Sequence, residues 1–95
     1  MATIKIEAPT IYQVRALEWF GLGILERSNG SFYTEGEFKT MREAKDYLKS
    51  VVENHLEAHS YCYDENEIKE KRKEMLNEVK NGMLNIEGAT ARIYR

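Results

Sequence analysis

Cysteine is nearly absent. Cys62 stands alone in a chain of 95 residues, so no intramolecular disulfide can form. A small secreted domain usually carries an even set of cysteines, and a reducing compartment is the better expectation. Long apolar runs are also missing. The longest, Trp19 to Leu25, contains two glycines and falls far short of the roughly 20 apolar residues that a membrane helix needs. The opening Met1-Ala2-Thr3-Ile4-Lys5 has neither the basic start nor the apolar stretch of a signal peptide. A cytoplasmic protein with no membrane contact is therefore expected. Neither charge sign dominates. Net charge is −2, with six Lys+Arg against seven acids in residues 1–48 and eight against nine in residues 49–95. That balance excludes the global basic field of a non-specific nucleic-acid binder, so any anion site must be local.

Catalytic signatures are equally scarce. Gly21 and Gly23 make an isolated G-x-G, without the third glycine of a dinucleotide site or the Lys-Ser/Thr of a P-loop. The sixteen acids guarantee chance pairs, and no nucleophile stands beside a base in any known motif. No enzyme activity and no cofactor are expected. His55, His59 and Cys62 form an H-x3-H-x2-C series, but three ligands rarely close a structural zinc site and the chain has no other histidine or cysteine. The two histidines also continue an apolar helix face, so they read as core-edge residues and no metal is expected.

What is present describes one small domain spanning residues 1–95, with 42% hydrophobic residues and ten aromatics. Ile4 and Ile6 alternate with Lys5 and Glu7, the period of a half-buried strand that Pro9 ends. Over residues 11–17 strand and helix both fit. The strand reading, which sets Tyr12, Val14 and Ala16 on one face, is preferred. Asn29-Gly30 suits a type I′ turn joining strands near 22–28 and 31–38, and sets Arg27 against Phe32 and Glu26 against Tyr33. Thr40 with Glu43 makes a capping box in which the glutamate would reach back to the Thr40 amide. It opens an amphipathic helix whose stripe includes Ala44, Tyr47, Leu48, Val51 and Val52. A second box, Asp64 with Glu67, starts another helix that Asn81-Gly82 stops. The tail reads as one strand whose phase shifts at a Gly88 bulge. The expected fold is α+β: an antiparallel or mixed sheet of four to five strands, two antiparallel helices on one face, in the order β-β-β-β-α-α-β.

Two functional readings follow. In the first, a non-catalytic regulator binds another protein, or itself, through aromatics in connecting segments: Trp19, Phe20, Tyr61 and Tyr63. In the second, an anion such as a nucleotide or a nucleic-acid phosphate is held by helix lysines Lys45, Lys49, Lys69, Lys73 and Lys80. Both helices segregate charge with the same rotational sense, so antiparallel packing should bring like-charged flanks together, either these lysines or the acids opposite them. Arg72 falls inside the apolar stripe and is expected to snorkel or to find a carboxylate. Sequence gives the first reading priority, and names neither the partner nor the oligomeric state.

Overall fold

A computed structural model describes residues 1–17, 24–86 and 88–95, with side chains described outside 15–17. The elements run β1 (Ala2–Ala8), α1 (Ile11–Leu17), β2 (Leu25–Glu26), β3 (Phe32–Phe38), α2 (Met41–Ala58), a 3-10 turn (Ser60–Cys62), α3 (Glu65–Lys80), β4 (Met83–Ile86) and β5 (Ala89–Tyr94). The five strands form one antiparallel sheet in the order β2-β3-β1-β5-β4. The α+β class, the sheet and the two long helices are as expected. The order of elements differs in two places.

The first is residues 11–17, which form a helix and not a strand. Seven residues carry too few apolar positions for periodicity to decide, and an isolated helix of that length is unstable in water. Local caps and burial decide it. The Thr10 hydroxyl accepts from the Gln13 amide at 3.3 Å, and Gln13 Oε1 accepts from the Thr10 amide at 3.1 Å and its hydroxyl at 2.9 Å. This is a reciprocal capping box, worth about 1 kcal/mol. Val14 is then wholly buried while Tyr12 stays 78% exposed, a split that a strand would forbid because both would share one face. Burying one valine contributes roughly 1.5–3 kcal/mol, enough to settle so close a choice.

The second is the tail, which is a hairpin and not a single bulged strand. β4 and β5 pair with Ile86 opposite Ala89, so the chain reverses between them, and Gly88 takes φ +87°. The earlier hairpin also shifts by one residue. Leu25 stands opposite Tyr33 and Glu26 opposite Phe32. The Gly30 amide donates to the Arg27 carbonyl at 2.9 Å, so Ser28 and Asn29 hold the turn centre and Gly30 follows at φ +87°. That is a three-residue loop with a glycine bulge. Asn29 Oδ1 fixes it by accepting from the Ser31 amide at 3.1 Å and hydroxyl at 2.7 Å.

The long helices begin where their caps place them. Thr40 accepts from the Glu43 amide at 3.1 Å, and Asp64 Oδ1 from the Glu67 amide at 2.8 Å. The Glu43 carboxylate accepts from the Lys39 amide, one residue before the position expected. Gly82, at φ +81°, ends α3. Ile4 and Ile6 of β1, Leu48 and Val52 of α2, Val14 of α1 and Leu84 of β4 share one buried cluster, which places the helices on the same side of the sheet. Among the described residues, no buried side-chain nitrogen or oxygen lacks a partner.

Candidate functional site

Among the described residues no helix covers the other side of the sheet, and the strand registers lay its residues out in three rows. Leu25, Tyr33, Glu7, Thr90 and Asn85 form the first; Glu35, Lys5, Arg92 and Met83 the second; Glu37, Thr3 and Tyr94 the third. Each alternates along its strand with a core residue, so the buried Ile4, Ile6 and Ala91 fix the direction in which Lys5, Glu7 and Arg92 point.

Charges on this face are mostly paired. Arg27 binds the Glu7 carboxylate and lies 4.5 Å from the Tyr33 ring centre. Lys5 is 3.6 Å from Glu35, and its ammonium sits 5.1 Å from the Tyr94 ring centre. Arg92 is the exception: no ion pair among the described residues reaches it. Lys5 stands directly opposite Arg92 in the β1–β5 ladder. Like charges in directly opposed positions destabilise a sheet. They line a concavity of about 490 Å³ with Glu7, Thr90, Tyr94 and, at one end, Pro9, Ser31 and Gly88. That volume falls within the range of small-ligand sites.

The helix lysines do not converge in this way. Lys45 Nζ donates to the Lys80 carbonyl at 3.0 Å, an interhelical cap on the last turn of α3. Lys49 lies 3.9 Å from Asp46. Lys73 and Lys80 share an open hollow of about 850 Å³ along α3 with Glu70 and Glu74, so acids alternate with them there. Lys69 is exposed. The seam between α2 and α3 has both signs, which corrects the expectation that like-charged flanks meet. Arg72 reaches Glu53 of α2 through Nε at 2.9 Å and Nη2 at 3.2 Å, a two-pronged pair that supplies its carboxylate.

Among the aromatics named from sequence, Trp19 and Phe20 lie outside the described residues. Tyr61 is 84% exposed in the 3-10 turn beside the exposed Cys62. Its phenol is raised above the usual value, first by the hydrogen bond to the Cys62 thiol and then by that group's charge. Tyr63 is half-buried, with the Lys71 ammonium 4.7 Å from its ring centre. The His55 and His59 rings stand 4.4 Å apart, half-buried, with His59 Nδ1 2.9 Å from the His55 carbonyl. The described residues contain no group of three metal-ligating side chains.

Sequence reading missed Lys5, Arg92 and Tyr94. Each is an ordinary polar position of a half-exposed strand, and only the pairing of β1 with β5 brings them together. No protein-family model, curated protein or solved structure matches the chain.

Proposed function

We propose that this protein is a non-catalytic binding module whose ligand docks on the helix-free face of the sheet. The observation carrying this reading is the apposition of Lys5 and Arg92 inside a ligand-sized concavity. A sheet held together only for stability gains from opposite charges at opposed positions, and here the positions carry the same sign. The anion-binding class expected from sequence is thus retained, and its location moves from the helix lysines to β1 and β5. Exposed Tyr61 supports a second reading, docking of another protein or a second copy at the α2–α3 connection.

A melting-temperature screen tests the first reading. Inorganic phosphate, a mononucleotide, a single-stranded oligonucleotide, an acidic peptide and a basic peptide are added in turn. A ligand at a hundred times its Kd stabilises by about 2.7 kcal/mol, which shifts the midpoint of a domain this size by many degrees. Any member that stabilises wild type should act less on Arg92→Gln and fully on Lys49→Gln/Lys73→Gln. The opposite pattern would return the site to the helices.

A further inference from the structure

We propose that the Lys5–Arg92 cleft is a subsite for a phosphate monoester, a proposal that rests on the reading of the bare sheet face as the binding surface. Among the described residues the charges around the cleft do not balance. Lys5, Arg27 and Arg92 face Glu7 and Glu35, and two of these cations are already matched, Arg27 to Glu7 and Lys5 to Glu35. Among the described residues one guanidinium, that of Arg92, is left over on the wall of the concavity, with a second cation, Lys5, opposite it in the ladder. A guanidinium presents a planar fork of donors that fits two oxygens of a phosphate, and an ammonium adds a point charge from the side.

The other polar groups narrow the choice. The Thr90 hydroxyl is committed to Asn85 Oδ1 at 2.8 Å, and the Ser31 hydroxyl to Asn29 Oδ1 at 2.7 Å. Donors for an anion therefore come from Arg92, Lys5 and the Tyr94 phenol among the lining side chains. All three are on adjacent strands at or next to one register position. The face beyond them does not favour a polyanion, since Glu7, Glu35 and Glu37 stand in the rows around the pair and bring its described residues to three acids against the three cations Lys5, Arg27 and Arg92. A nucleic-acid strand crossing it would meet carboxylates at each step. A compact anion seated at Arg92 gains the unmatched charge and avoids them.

Isothermal titration calorimetry on the full chain tests this with inorganic phosphate, ribose 5-phosphate, adenosine monophosphate and a single-stranded oligonucleotide. Saturable binding of the three compact phosphates is expected, about tenfold or more weaker in Arg92→Gln and unchanged in Lys49→Gln/Lys73→Gln. Arg92→Lys should fall between, because it keeps the charge and loses the fork. Affinity should rise from pH 5 to pH 7.5 as the ester passes its second ionisation near roughly 6. Equal affinity for phosphate and the monophosphates places recognition in the anion alone; tighter binding of adenosine monophosphate extends the site onto Tyr94. Arg92→Gln should melt no lower than wild type without ligand, since a like-charge contact is relieved, and this separates a binding role from a structural one. No binding of any compact phosphate at concentrations up to about 10 mM overturns the proposal, as does loss in the helix-lysine variant or binding of the oligonucleotide alone. If another class of molecule docks on the face instead, the proposal falls while the binding surface stands.

Discussion

Gly30 shows how one residue's backbone sets the geometry of a whole edge. It follows the Ser28-Asn29 turn at φ +87°, a region that side chains with a Cβ rarely occupy. An added Cβ would meet nothing within 4 Å, so any penalty for replacing it comes from the backbone alone. Gly30→Val should cost about 1 kcal/mol or more, visible as a lower denaturation midpoint at constant slope. An unmoved midpoint would remove the glycine bulge from this account. Arg92 is the counterpart on the open face. Its alternation with Ala91 and Ile93 is plain in sequence, while its apposition to Lys5 depends on a register between two ends of the chain. Periodicity says which way a side chain points and nothing about what stands beside it.

At the level of elements, local signals and long-range pairing divide the same way. The Thr40–Glu43 and Asp64–Glu67 boxes and the Asn81-Gly82 stop lie within a few residues of the helices they delimit, so α2 and α3 were legible. The Thr10–Gln13 box is equally local, a Thr-x-x-Gln, but the strand reading rests on the alternation of Tyr12, Val14 and Ala16 and leaves that box out. The tail failed differently. A phase change at Gly88 fits either a bulge or a reversal, and only the pairing of Ile86 with Ala89 distinguishes them. That reversal also lies against Gln13 of α1. A Cβ on Gly88 would lie 2.5 Å from Gln13 Nε2, so Gly88→Ala should suffer both from its φ of +87° and from this clash. A double-mutant cycle with Gln13→Ala separates the two. The Gly88→Ala penalty, expected above about 1 kcal/mol, should shrink without the glutamine and persist in part from backbone strain. An identical penalty in both backgrounds would mean that Gln13 does not pack there.

Across the whole molecule, the sheet is the dividing wall. Helices α1, α2 and α3 share the buried cluster on one side, and the three polar rows occupy the other. The half-exposed period of β1 already implied a two-sided sheet, so the existence of a bare face was within reach of the sequence. Its composition was not, because Tyr33, Glu7 and Thr90, or Lys5 and Arg92, become neighbours only once β3 and β5 flank β1. This is also why the helix lysines drew attention: a helical wheel compares residues a turn apart and never sees across strands. The seam between the helices holds Arg72 on Glu53 and Lys45 on the Lys80 carbonyl.

The central claim is that binding occurs on the bare sheet face and not along the helices. Amide chemical-shift mapping of isotopically labelled protein, titrated with a phosphate monoester, tests it most directly. The account predicts perturbations concentrated in residues 3–7, 33–35 and 88–94, with α2 and α3 unchanged. Perturbations that cluster on Lys45, Lys49, Lys73 and Lys80 while the β1 and β5 amides stay still would contradict it.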